Sequence, residues 1–351
     1  MKKTFILYLS SVLLCLCGCE HEIPFERLND DATLSMTGLL STTDSLHKVY
    51  VSYSTAEEVL EIPDPRLFCY INGQLVAEGS KATGGSSYAM EFKAQFHAGD
   101  TMRLVLTALG GELSAEVEEV VPQPAEITHV EMANVTSKKG LFYINLENFL
   151  QLRITVKDRP GEANYYFPSL STRYTKAMHY QNSLQEEKWK SLDAEQTIPL
   201  YGDYNDFILN EGIVQVDNGD EIFGTIVPNT YMAFSDALFS NSEGTISVLT
   251  YPYWLSPWYY SDLYPDEYSS HMTRYSTNRR LCVRIHSMDE RYYHYLKALN
   301  TLDSDNYEPA IVDPITLPSN VHGGVGFVGI SCAAIAEIEL EDEVIEDDMY
   351  Y

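Results

Sequence analysis

The feature that most constrains this chain is a series of short segments in which apolar and polar residues alternate. They cover 48–54, 66–71, 88–96, 102–108 and 112–121, and a period of two puts every second side chain on one face of a pleated strand. Turn-forming groups separate them: Pro63-Asp64-Pro65, Asn72-Gly73, Gly84-Gly85, Gly99-Asp100 and Gly110-Gly111. Asn72-Gly73 suits a two-residue hairpin, because a type I′ turn needs positive φ at both central positions. Short strands with frequent turns predict an immunoglobulin-like β-sandwich over 32–122. Pro122-Gln123-Pro124 marks its end, since proline gives no N–H to a ladder.

A larger β-rich block is expected over 125–336. Strand-like runs fall at 141–147, 149–156, 164–174, 212–227, 244–251 and 279–286. The polar stretch 176–195 reads as an excursion outside the sheets, and 252–278 as a long loop. One helix is expected over 288–302, where Ser287 and Glu290 match a capping box. Tyr292, Tyr295, Leu296, Leu299 and Leu302 then make a single apolar stripe suited to covering a sheet. The last segment, 337–351, carries eight acids between Glu337 and Asp348, a density that predicts a solvated, unpaired tail. The fold class is therefore mainly β, a sandwich followed by a larger β domain with one covering helix.

Charge narrows the partners. The 351 residues hold 23 Lys+Arg against 51 Asp+Glu, a formal net charge of −28. Such a surface repels phosphate backbones, so no nucleic-acid partner is expected. The N-terminus gives an address: Lys2 and Lys3 precede an apolar stretch over 4–17. That stretch is too short for a hydrocarbon core about 30 Å thick and reads as the core of a signal peptide. Leu16-Cys17-Gly18-Cys19 matches a lipobox, with small residues at the cleavage point and a thiol to receive the lipid. The expectation is a signal peptide over 1–18, lipidation at Cys19, and a tether over 19–31. The acidic residues of Glu20-His21-Glu22 favour display at the cell surface. The membrane is then a partner through acyl chains alone.

Reaction chemistry is not visible. The nine histidines show no metal-ligand spacing, and no Gly-x-Ser-x-Gly elbow occurs. Asp303-Ser304-Asp305-Asn306 opens like a calcium loop but runs into Pro309 and Pro314. Gly324-Val325-Gly326-Phe327-Val328-Gly329 satisfies a dinucleotide pattern without the helix and acidic partner that the mechanism needs, so a turn and a close backbone approach are expected there. No catalytic residue, metal or cofactor is predicted. Cys69, Cys282 and Cys332 lie in apolar runs as small buried side chains, with a Cys282–Cys332 disulfide as the alternative. The segment that stands out is aromatic: Tyr251, Tyr253, Trp254, Trp258, Tyr259 and Tyr260, interleaved with prolines. Rigid aromatic faces suit contact with a glycan, a peptide or a receptor; the same rings could instead fold back over the second sheet as a satellite core.

The order of these elements resembles the domain of unknown function 4249 family, lipoproteins of Bacteroidota. The resemblance rests on the lipobox, Ala32 to Gly38 followed by Val49-Tyr50-Val51-Ser52, and Met102-Arg103-Leu104 before the proline step. Asp158 with Asn164-Tyr165-Tyr166, Phe234-Ser235-Asp236, and Ser319-Asn320-Val321-His322-Gly323-Gly324-Val325-Gly326 continue it. The resemblance implies an outer-membrane lipoprotein accompanying a TonB-dependent receptor, with no catalytic residues to carry over. The expected function is a non-catalytic accessory protein binding a ligand or receptor in nutrient uptake. A structural or adhesive surface protein is the alternative, and a glycan hydrolase the weaker one.

Overall fold

A computed structural model of the protein describes residues 33–54, 59–60, 62–82, 88–137, 147–182, 184, 186–212, 229–256, 271–303 and 316–348. Nine strands precede the proline step: β1 (Thr33–Ser41), β2 (Leu46–Ser54), β3 (Val59–Leu60), β4 (Arg66–Ile71), β5 (Gln74–Glu78), β6 (Ser80–Lys81), β7 (Ala89–Lys93), β8 (Thr101–Ala108) and β9 (Leu113–Val120). Beyond it come β10 (Glu126–Ser137), β11 (Glu147–Lys157), β12 (Tyr165–Gln181), β13 (Glu187–Ile198), β14 (Tyr201–Gly202), β15 (Phe234–Ser235), β16 (Glu243–Thr250) and β17 (His271–Met288). Helix α1 (Glu290–Leu302), β18 (Gly324–Val325), β19 (Val328–Glu339) and β20 (Glu343–Asp348) complete the described chain.

One long sheet runs in the order β13-β12-β17-β19-β1-β2-β7-β6, and two four-stranded sheets, β5-β4-β8-β9 and β10-β11-β16-β14, pack on it. The first core joins Met36, Val49 and Phe92 of the long sheet to Cys69, Leu104 and Val117 of the first small sheet. The second joins Tyr166, Leu170 and Val283 to Leu152, Ile154 and Val248. Leu104 is fully buried in the first of these, so Leu104→Ala would cost about 3 kcal/mol through lost transfer energy and a residual cavity.

Strand β19 belongs to both units. Its residues Val328–Ser331 pair in parallel with Gly38–Ser41, and Cys332–Glu339 pair antiparallel with β17. Val328 and Ile330 enter the first core, while Ala334 and Ile338, on the same face, pack on the second. The chain therefore recrosses the expected boundary at Pro122-Gln123-Pro124: residues 321–332 return to the first core, which the proline step alone does not reveal.

Several polar segments expected outside the sheets are strands. β12 continues to Gln181 and turns back through β13, so 176–195 is a hairpin. Likewise His271–Asn278, expected as loop, is the start of β17. The acidic segment from Glu337 also pairs: β19 runs to Glu339, and Glu343–Asp348 form β20 on β17. Arg173 and Arg280 both bond Glu337, which offsets the repulsion that argued for a free tail. β13 is solvated on both faces, and the buried face of the paired β12 and β17 extensions mixes Met178 and Met272 with Lys176 and Ser276, so no apolar alternation advertises these strands. Pro168 lies in β12 between the ladder to β15, at 165–166, and the ladder to β13, which begins at Leu170. There β12 has a neighbour on one side only, and a missing N–H costs little.

Helix α1 starts later than expected. Asp289, not Ser287, is its cap and accepts from the Tyr292 N–H at 2.8 Å, while Ser287 is buried in β17. The helix lies on the outer face of the long sheet: Tyr295 stacks on Phe327 at 4.3 Å, and Tyr293 packs against Tyr165 at 4.8 Å with the rings tilted. Gly329 permits this, since a Cβ there would stand 2.7 Å from the Tyr292 ring. Gly326 has φ of 110° and leaves its added Cβ no room beside the Met36 carbonyl. The glycine-rich segment is thus a turn and a close approach to β1. Cys69, Cys282 and Cys332 are free and buried. In the β17–β19 ladder Cys282 faces Glu337 and Cys332 faces Ser287, a register offset that separates the two thiols too far for a disulfide.

Candidate functional site

The outer face of the long sheet carries polar side chains on its central strands: Ser169 and Ser171 of β12, Arg284 and His286 of β17, and Ser331 of β19. Opposed residues share a face, so Ser169 beside Arg284 and Phe167 beside His286 point away from the second core. Leu39 and Ser41 of β1 lie on this same face, opposite Gly329 and Ser331. Between the β1–β2 turn, the β13 edge and Tyr292 of α1 they enclose a cleft of about 470 Å³. A second groove of about 500 Å³ adjoins it through Leu39, Leu40 and Asp44, with Leu46 and Tyr50 facing Tyr295 and Leu299.

His286 is the centre of the cleft floor, 6% exposed. Its ring stacks on Phe167 at 4.5 Å with planes 3° apart. Ser331 donates its proton to the Leu40 carbonyl at 3.1 Å, so its oxygen is left to accept from Nδ1–H at 3.2 Å. Nε2 then accepts from the Ser169 hydroxyl at 2.8 Å. Burial, aided by the Arg284 charge, pushes the imidazole down to about 4, so it is neutral at ordinary pH. A serine hydrogen-bonded to an imidazole is half of a nucleophile–base arrangement. The group behind Nδ1 is a hydroxyl, however, and a hydroxyl does not offset an imidazolium as a carboxylate does. Arg284 opposes that charge further. The geometry suits fixed hydrogen bonding better than proton abstraction.

Arg284 is 7% exposed and donates through its terminal nitrogens to the Ser171 hydroxyl and to Glu195, while its Nε is buried without a hydrogen-bond partner. The Ser171 hydroxyl donates in turn to Glu195 at 2.6 Å. Burial pushes the Glu195 carboxyl up, but the bonds from Ser171 and Arg284 and the charges of Arg284 and Arg173 together hold it below the usual range. A buried cation is thereby balanced within the site.

The aromatic segment is built differently. Tyr251 packs against Phe149 at 4.7 Å with the rings tilted and stacks on Tyr253 at 5.1 Å, and its hydroxyl donates to Glu147. Burial and that carboxylate push the phenol up. Trp254 and Leu255 pack against the second core, whereas Tyr253 is 46% exposed. Trp258, Tyr259, Tyr260 and Cys19 lie outside the described residues. The structure thus brings Tyr251, Tyr253 and Trp254 together at the rim of the second sandwich, away from the cleft. Sequence reading missed Ser169, Ser171, Glu195, Arg284, His286 and Ser331. Their signal is Arg284-x-His286 and Ser169-x-Ser171: polar side chains at period two within strands whose other face is apolar.

Among known families, one described as a domain of unknown function (DUF4249) matches residues 20–334. The chain belongs to this family. No curated protein matches. Among solved structures, a DUF4785 family protein from Legionella pneumophila is similar at 10% identity and a TM-score of 0.21. That match covers 72% of this chain and 52% of the other, so the chain spans about half that protein's length.

Asp158, Asn164, Asp236 and Asn320, among the residues through which the sequence resembles the DUF4249 family, fall on two buried polar knots. Asn164, 1% exposed, donates to Asp158 at 3.1 Å and Asp236 at 2.8 Å and accepts from Arg159, which also bonds the carbonyls of Gln123 and Pro124. Asn320 donates to Glu119 at 2.7 Å and exchanges two bonds with Val328. Arg291 of α1 holds the other Glu119 oxygen at 2.9 Å. The first knot fixes the proline step to the second sandwich; the second fixes α1 and β19 to the first. Both are architectural.

Proposed function

We propose that the chain is a non-catalytic lipoprotein of the outer membrane, anchored through Cys19, that serves a TonB-dependent uptake receptor as an accessory ligand- or receptor-binding protein. The observation that carries the binding role is the cleft: a preformed concavity on rigid central strands, lined by oriented hydrogen-bonding groups and roofed by a packed helix. The anchoring half rests on Lys2, Lys3, the apolar stretch and Leu16-Cys17-Gly18-Cys19. A body with a formal charge of −28 has no affinity of its own for anionic headgroups and needs acyl chains to stay at a bilayer. The described residues contain no helix long and apolar enough to cross a membrane.

The test is affinity capture from solubilised outer membranes with the lipidated protein as bait, coupled to intact-mass analysis. The expected result is a diacyl- or triacyl-modified mature chain that retains a TonB-dependent β-barrel receptor. Cys19→Ala should release the chain into the soluble fraction. An unmodified N-terminus, or a lipidated chain that retains no receptor, contradicts this reading.

A further inference from the structure

We propose that the cleft beneath α1 binds an uncharged, hydroxyl-rich ligand, a mono- or disaccharide. The inference rests on reading the chain as a binding protein and adds the chemical class of what it binds. At about 470 Å³ the cleft falls within the ~300–1,000 Å³ of small-molecule sites.

The electrostatics exclude both kinds of ion. An anion would need a cation it can reach, yet Arg284 is 7% exposed, its terminal nitrogens donate to Ser171 and Glu195, and its Nε, though without a partner, is buried. Glu195 and, on the rim, Asp44 would repel it further. A cation meets the buried Arg284 guanidinium in the floor, which already disfavours protonation of the adjacent His286. No group of acidic, histidine or cysteine side chains among the described residues could hold a metal ion.

What remains is neutral polar recognition. Thr197 presents a hydroxyl that can donate and accept, the Ser169 and Thr43 hydroxyls, whose protons go to His286 and Asp44, accept, Glu195 accepts, and Phe167 and Tyr292 add apolar ring surface. Alternating hydroxyls and C–H faces on a sugar ring match that mixture. The polar groups are positioned on ladder strands or bonded to one another, so little ordering cost falls on binding. A purely apolar ligand would strand these groups without partners.

The test is isothermal titration of the detergent-solubilised full chain with D-glucose, D-galactose, D-mannose, maltose, lactose and D-glucuronate. At least one neutral sugar should bind one-to-one with a Kd below about 1 mM, and glucuronate about tenfold more weakly than glucose or not at all. Thr197→Val and Ser169→Ala keep the volume nearly unchanged and should each weaken binding about fivefold or more. Their melting transitions should stay near the parent's; Thr197→Val, at the strand edge, retains the readout should Ser169→Ala loosen His286. Absence of binding by every neutral sugar, glucuronate binding as tightly as glucose, or affinity indifferent to both substitutions overturns the proposal. Loss of receptor capture with sugar binding intact would count against the accessory role alone.

Discussion

The cleft on the outer face of the long sheet and the Tyr251 cluster at the rim of the second sandwich both contain aromatic rings, yet they use polar groups in opposite ways. Around Tyr251 one hydroxyl finds one carboxylate, and the rings stack on each other and on the core. In the cleft the rings are few, and a chain of hydroxyls, an imidazole and an ion pair lies on central strands. The first pattern packs ring on ring, and the second holds polar groups at fixed points on the cleft floor. Density of aromatic residues in sequence is therefore a poor guide to a binding site, because the same rings are efficient packing material.

The comparison can be broken most forcefully at Arg284. Arg284→Met should cost about 3 kcal/mol in chemical denaturation, because Glu195 and Ser171 lose a buried donor. Adding Glu195→Gln should recover part of the loss. Should Arg284→Met leave stability unchanged, the ion pair is not what holds the cleft floor.

A smaller effect is expected from His286. Its folded value of about 4 lies below its ordinary 6.5. The stabilising contribution of the neutral ring is complete above pH 6.5 and is lost as pH falls towards 4. Between pH 7 and pH 4.5 the parent should lose on the order of 2 kcal/mol more than His286→Gln. A variant with the same pH slope as the parent would place the ring in contact with water.

At the Tyr251 cluster, Trp254→Ala should destabilise by about 2 kcal/mol through lost packing on the second core while leaving cleft binding intact. Tyr253→Ala, at a half-exposed ring, should change stability by about 0.5 kcal/mol or less. The contrast collapses if either substitution abolishes ligand or receptor binding while melting stays at the parent value.

The strands of the first sandwich were legible because their inward residues alternate with mostly polar outward ones, as in Met102 and Leu104 on either side of Arg103. The same rule failed for β13 and β20, where Trp189, Leu192 and Val344 are exposed and polar residues occupy both faces. The stripe of α1 was readable, though its cap was assigned to Ser287, because Asp289 and Ser287 both precede an acidic first turn. The shared role of β19 was not readable. Apolar residues at 328, 330, 332, 334 and 338 mark a single face, and no local pattern says that two different small sheets cover it. The cleft escaped for a related reason: its groups come from β1, β12, β13, β17 and β19, far apart in sequence and joined by register alone.

The most direct test of the central claim, that the protein works through the outer face of its long sheet, is hydrogen–deuterium exchange of the anchored chain in native outer-membrane fractions and in isolation. The account predicts that engagement in the membrane slows exchange at the β1–β2 turn over 42–45 and at the Glu195–Ile198 end of β13, with 251–255 unchanged. Protection confined to 251–255, with the turn and the β13 edge exchanging as in the isolated chain, would contradict it.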